Sequence, residues 1–201
     1  AFNGLEETYD LADALVVAMH FNAFFRHART VRMANLAQLV NVIAPMTATT
    51  DDLLLQTTHY PFELYAQTAG PIALEAGWSS DTYSAKRILS NFVARETDLE
   101  YTGVRKLDVS ATLDDVARRV SVYVVNRDVD DAREVEISIA GARPKPDVQV
   151  HTITGTGADA VNTFDDRTAV ATTVETQTMG SGPTFTTSLP ALSINAFIFD
   201  V

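Results

Sequence analysis

Two amides, Gln38 and Asn41, are the side chains in this sequence best placed to hold a polar ligand. They follow a short apolar run, Val31 to Ala37, that reads as a buried strand after a helical segment, and they precede the pattern-breaking Pro45. A side-chain amide carries two donors and an acceptor, and each needs a partner once it leaves water. Two readings fit that spacing. The amides could tie down the following loop by bonding its backbone, the commoner fate of buried amides. If the run is instead a strand of an α/β barrel, they stand at a C-terminal strand end, where barrels bind their ligands.

No other set of reactive side chains forms a recognisable constellation. Cysteine is absent, which removes disulfides within the chain, thiol catalysis and the best ligands for structural zinc. His20 and His27 are two helical turns apart, and His151 lies far along the chain. No His-x-x-x-His pair or acidic cluster with ligand spacing occurs, so no metal is expected. No cofactor is expected either. Gly155-Thr156-Gly157 reads as a turn after a strand, with neither a following helix nor a nearby lysine, and there is no serine nucleophile elbow. The net charge of -11, spread along the chain, argues against nucleic acid and anionic membrane as partners. No apolar stretch reaches the roughly 18 residues of a membrane-spanning helix.

The elements that would position the amides come from two unlike halves. Residues 8–28 read as a helix capped by Thr8 or Asp10, with Leu11, Leu15, Ala18, Met19 and Asn22 at spacings of three and four. Arg26, His27 and Arg29 then oppose the helix dipole. A strand at 31–37, a loop carrying Pro45 and Asp51-Asp52, and a helix at about 60–69 follow, with Pro61 in that helix's first turn and Gly70 closing it. After Gly70, runs rich in Val, Ile, Thr, Phe and Tyr recur between turn signals. They lie at 72–75, 107–113, 120–125, 135–139, 148–153, 169–175, 184–189 and 196–201. Short strands at that spacing indicate an antiparallel β-sandwich or jelly roll. The expected organisation is therefore residues 1–70 as an α/β piece, too short for a complete barrel, and residues 71–201 as an all-β domain packed on it.

Three blocks carry a family resemblance. Glu7-Thr8-Tyr9-Asp10-Leu11-Ala12-Asp13-Ala14-Leu15, then Met33-Ala34-Asn35-Leu36-Ala37-Gln38-Leu39-Val40-Asn41-Val42-Ile43-Ala44-Pro45, then Gln56-Thr57-Thr58-His59-Tyr60-Pro61 resemble glycoside hydrolase family 51, the α-L-arabinofuranosidases, in order and approximate spacing. The likeness is dense over residues 5–67. It is sparser at Val122 to Asn126, Asn162-Thr163-Phe164 and Leu189 to Asn195. It implies the C-terminal portion of such an enzyme: the last helices and eighth strand of a (β/α)8 barrel, then a C-terminal β-domain. It also implies a retaining, exo-acting enzyme that acts on arabinoxylan, arabinan and their oligosaccharides. Family relatives with endoglucanase activity, or a carbohydrate-binding or structural β-sandwich without activity, are the alternatives.

The resemblance fixes what should and should not be found in this chain. Its two catalytic glutamates belong to an Asn-Glu pair and an Asp-Glu-Trp-like stretch, and neither occurs: Trp78 follows Gly77, and no Asn precedes a Glu. Glu6 and Glu7 match the segment just after the nucleophile strand and are expected on the approach to the first helix. Glu63 is expected on the solvent face of the last. No catalytic residue is therefore assigned here, and both glutamates are expected upstream. Gln38 matches the family glutamine that hydrogen-bonds the arabinofuranosyl unit in the −1 subsite, Asn41 is assigned mainly to structure, and His59 and Tyr60 are candidates for the outer cleft. The expected partner is the N-terminal part of the same enzyme, as a separate associated chain cut near the loop-forming Asn3-Gly4. The lack of an initiator Met suggests a mature or internal start. An extracellular location is expected from wording close to secreted fungal relatives, with a cytoplasmic one as the alternative.

Overall fold

The structure is a computed structural model that describes residues 6–87, 99–180 and 182–201. Its elements run α1 (Leu11–Arg26), β1 (Met46–Ala48), β2 (Leu53–Leu55), α2 (His59–Thr68), β3 (Ile72–Leu74), β4 (Thr82–Arg87) and β5 (Leu99–Arg105). They continue as β6 (Leu107–Asp114), β7 (Arg119–Asn126), β8 (Arg133–Ser138), β9 (Asp147–Thr154), β10 (Ala171–Thr178), β11 (Thr184–Leu189) and β12 (Ser193–Asp200). The Asn3-Gly4 pair lies outside the described residues.

Strand β7 shows why the sheet forms where it does. Val120, Val122 and Val124 point to one face, and Tyr123 and Val125 to the other, and all five are buried. A strand covered on both faces loses the apolar–polar alternation and reads as a continuous run of β-branched and aromatic residues. It lies inside a six-stranded sheet of order β10-β9-β12-β7-β6-β3, antiparallel throughout. Strands β8 and β11 form a separate pair over one face, where Val135, Ile137, Phe185 and Leu189 meet Val122, Val124, Phe197 and Phe199. The alternation survives in β8, whose Glu134, Glu136 and Ser138 face solvent.

The helices cover the other face. Asp10 caps α1 by accepting from the Asp13 N–H at 3.0 Å, while the Asp13 carboxylate accepts from the Asp10 N–H at 3.1 Å. Leu11, Ala14, Leu15, Ala18 and Asn22 make the buried stripe of α1, which packs with Tyr60, Leu64 and Tyr65 of α2 on Tyr123, Ile194, Ala196 and Ile198. Burying a large side chain of this kind contributes about 1.5–3 kcal/mol. Tyr65 stacks on Tyr123 with ring centroids 4.2 Å apart. Burial, with lesser help from Tyr123 and Asp108, pushes the Tyr65 phenol well up, so it remains a donor, to Asn22 Oδ1 at 2.7 Å. Ser110 Oγ donates to the same Asn22 oxygen at 2.6 Å, and Asn22 Nδ2 donates to the Asp108 carboxylate at 2.9 Å. Arg26, in the last turn of α1, pairs with Asp108 at 2.8 Å. The chain passes from α2 to the sheet through Gly70, where a β-carbon would fall 2.3 Å from the Leu113 backbone. Only glycine fits that approach.

Residues 31–37 depart from expectation. They form no strand, and residues 32–37 are exposed. A strand needs neighbours for its N–H and C=O groups. Among the described residues no strand lies beside this stretch, so the barrel-like part of the chain shows two helices and a turn rather than a helix-covered parallel sheet. The loop expected to carry Pro45 and Asp51-Asp52 contains the short β1–β2 hairpin instead, with Asp51 and Asp52 at its tip.

Candidate functional site

The turn that carries Gln38 is built on two consecutive residues in the left-handed region, Asn41 and Val42, each with φ of 61°. Asparagine tolerates that conformation, whereas a β-branched valine is strained by it, a cost of about 1–3 kcal/mol that only the surroundings can sustain. Asn41 supplies part of that support. Its N–H donates to the Met46 carbonyl at 2.7 Å, and its Oδ1 accepts from the Ala48 N–H at 2.6 Å. Gln38 Oε1 accepts a long bond from the Ile43 N–H at 3.5 Å. The side chain is exposed, and its Nε2 donates to nothing among the described residues. Gln38 thus leaves two donors to solvent at the rim of a hydrogen-bonded turn, which suits an oxygen-rich ligand.

A second amide, Gln56, lies beneath that turn at 4 % exposure. Its Oε1 accepts from the Tyr9 N–H at 3.0 Å, and its Nε2 donates to the Ala44 carbonyl at 2.9 Å and the Glu7 carbonyl at 3.3 Å. The Gln56 N–H also donates to the Pro45 carbonyl at 2.9 Å. Segment 7–9 is laced to the turn directly as well: the Glu7 N–H donates to the Val42 carbonyl at 3.0 Å, and the Tyr9 hydroxyl to that of Ile43 at 3.0 Å. Next in sequence, Thr57 Oγ1 donates to the Asp10 carbonyl at 2.6 Å, tying the turn to the cap of α1.

His59 and Tyr60 open α2 and diverge. His59 is partly exposed, with its Nε2 4.0 Å from the Glu63 carboxylate. Tyr60, a candidate for the outer cleft, is buried at 8 % exposure and presents little surface within this chain. Its ring belongs to the core under the helices, and its hydroxyl meets Asn162 Nδ2 and the Arg167 carbonyl, each at 3.4 Å. Burial raises the Tyr60 phenol, which keeps it protonated. Asn162 fastens the sheet side of this corner: its Nδ2 donates to Val170 and Leu55 carbonyls at 2.8 and 3.1 Å, and its Oδ1 accepts from the Val170 N–H at 2.8 Å.

The glutamates singled out from the sequence lie apart, at the two helices. Glu6 and Glu7 are exposed on the irregular approach to α1, and Glu63 sits on the outer face of α2, accepting from Gln67 Nε2 at 3.2 Å. Among the described residues no cluster of His, Asp and Glu could hold a metal ion, and no helix is long and apolar enough to cross a membrane. Trp78 is not a free platform for a sugar ring. The guanidiniums of Arg105 and Arg26 lie over it at 4.9 and 5.4 Å, and its Nε1 donates to the Leu107 carbonyl at 3.1 Å. Sequence reasoning singled out Gln38 as a candidate and saw Gln56 only as part of a motif. The signal that was available is an amide beside two threonines just ahead of a helix, a composition suited to buried hydrogen bonding.

Comparison with known proteins agrees across the chain. A profile of the alpha-L-arabinofuranosidase C-terminal domain matches residues 1–193. The chain is 35 % identical over 162 residues to alpha-L-arabinofuranosidase C of Emericella nidulans, covering 79 % of this chain and 29 % of that protein. It is 35 % identical over 173 residues to an exo-α-(1→6)-L-arabinofuranosidase of Bifidobacterium longum, covering 83 % and 30 %. The crystal structure of the Thermotoga maritima α-L-arabinofuranosidase in complex with arabinose superposes with a TM-score of 0.86 at 26 % identity, over 98 % of this chain and 40 % of that one. The chain thus spans about three tenths of the length of these curated relatives.

Proposed function

Because the chain belongs to the α-L-arabinofuranosidase C-terminal domain family, we propose that it is the C-terminal part of a retaining, exo-acting α-L-arabinofuranosidase. The enzyme would release terminal α-L-arabinofuranosyl residues from arabinoxylan, arabinan and their oligosaccharides. The observation that carries this reading is the match over residues 1–193, and the free amide of Gln38 on its hydrogen-bonded turn supports the site.

In this reading the two carboxyl groups of the retaining reaction come from the rest of the enzyme. One attacks the anomeric carbon and the other protonates the leaving oxygen, about 5–5.5 Å apart. Gln38 donates to a sugar hydroxyl and fixes the ring against that pair, which lowers the barrier by holding the reacting atoms near attack geometry. Asn41 keeps the turn in shape, and His59 stands at its flank.

The exposed apolar side chains of residues 31–43 are the surface on which the N-terminal part docks. Met33 is 79 % exposed, Leu39 66 % and Leu36 44 %, and an apolar patch of this kind marks an interface. The test is hydrolysis of an aryl α-L-arabinofuranoside by the isolated 201-residue chain and by the same chain with the N-terminal part present. Intact mass and a denaturing gel report whether the two are separate polypeptides. Activity only in the presence of the N-terminal part is expected. Turnover by the isolated chain, or none by the assembled enzyme, would overturn the reading.

A further inference from the structure

We propose that Gln56 is a positioning residue for Gln38: it holds the strained 38–46 turn in the one shape that aims the Gln38 amide at the sugar. The inference rests on the reading of Gln38 as a sugar contact and adds a residue that never touches the sugar.

Four observations combine. First, the turn needs support, because Asn41 and Val42 both lie at φ of 61° and valine does not rest there unaided. Second, the support converges on one buried side chain. Gln56 reaches Glu7, Tyr9 and Ala44 with its amide and Pro45 with its backbone N–H. Third, its orientation is set by chemistry. The Tyr9 N–H demands an acceptor, and the Ala44 and Glu7 carbonyls demand a donor, so only one of the two amide orientations satisfies all three. Fourth, the Ile43 N–H that meets Gln38 Oε1 lies next in the chain to Ala44, which Gln56 holds. Gln56 is thus connected to Gln38 through a single residue of backbone, while its own side chain is buried away from any ligand.

A residue that merely staples the fold would weaken the protein equally whether or not Gln38 is present. A positioning residue acts through Gln38, so its effect disappears when Gln38 is gone. The experiment is a double-mutant cycle in the complete enzyme on an aryl α-L-arabinofuranoside, with thermal midpoints recorded alongside. Gln38→Ala is expected to lower kcat/KM about 100-fold, on the scale of losing a well-placed transition-state donor. Gln56→Glu keeps the acceptor for Tyr9 but turns an oxygen onto the two carbonyls. It is expected to cost about 10-fold alone and under about 2-fold in the Gln38→Ala background, a strong non-additivity. Gln56→Met, which keeps the length of the side chain and removes its amide, replaces Gln56→Glu if that variant does not fold. Its loss should vanish in the same way. Equal losses in both backgrounds, or no loss from either Gln56 variant, would overturn the inference. No loss from Gln38→Ala would instead overturn the reading on which it stands.

Discussion

Strand β7 and the stretch 31–43 are both rich in aliphatic residues, and the fold treats them oppositely. β7 lies between two strands and under helices on one face and β8–β11 on the other, so Val120 through Val125 are all below 9 % exposure. The stretch 31–43 has one short bridge, Val40 to Met46, and otherwise leaves Met33, Leu36, Leu39, Val40, Val42 and Ile43 in solvent. Composition alone does not bury a residue. It needs a second layer, and among the described residues that layer is present for the sheet and absent for the stretch. The contrast separates a region buried by its own fold from the region to which the proposed docking of the N-terminal part applies.

Substitutions in the two regions should separate widely. The largest effect is expected in the core between the sheets, where Phe197 is fully buried against Phe185, with ring centroids 5.7 Å apart. Phe197→Ala should cost about 3–5 kcal/mol in urea unfolding. Next comes the polar knot that joins α1 to β6. Asn22→Ala leaves the Tyr65 and Ser110 hydroxyls without their acceptor and should cost about 2–3 kcal/mol by the same measurement. An additive loss of under 0.5 kcal/mol there would show that the helices do not depend on the knot.

The third effect depends on pH. Asp128, buried, is hydrogen-bonded first by Lys106 at 2.8 Å and then by Arg133, and these hold its carboxyl well below the usual carboxylate range against the opposing effect of burial. A carboxyl lowered in the folded state adds stability that is complete above its unfolded value and lost as pH falls toward its folded one. The urea midpoint should therefore stay level from about pH 8 to pH 5 and decline below about pH 4, where an unfolded aspartate takes up its proton. Asp128→Asn should lower the midpoint at neutral pH and flatten that acid decline. A decline of unchanged slope would assign the acid sensitivity to other groups. The smallest effect is expected outside the core: Leu39→Ala in the isolated chain should shift stability by no more than about 0.5 kcal/mol.

Much of the sheet was legible because its strands are bounded by turn chemistry and filled with β-branched and aromatic residues. The runs read at 107–113, 120–125, 148–153 and 184–189 fall inside β6, β7, β9 and β11. Both helices were legible from their caps and periodicity, α1 starting at its Asp10 cap and α2 within one residue of the reading. Strands β4 and β5 were not, since Thr82–Arg87 and Leu99–Arg105 carry Lys, Arg and Gly where apolar alternation would be needed. The failure at 31–37 has a different cause. The residues do have strand character, but strand formation is decided by neighbours, and a local reading of the sequence does not reveal that none of the described residues pairs with them. The site divides in the same way: Gln38 stood out by its place in a motif, whereas the Gln56 clamp depends on contacts with residues more than forty positions away, which no local pattern reveals.

The most direct test of the central claim is hydrogen–deuterium exchange at residues 32–40, whose N–H groups donate to nothing among the described residues, compared between the isolated chain and the complete enzyme. The account predicts fast exchange of these amides in the isolated chain and marked protection once the N-terminal part is present, while the β7 amides stay protected in both. Exchange of residues 32–40 that is equally fast in the two would mean that nothing covers the stretch, and would contradict the account.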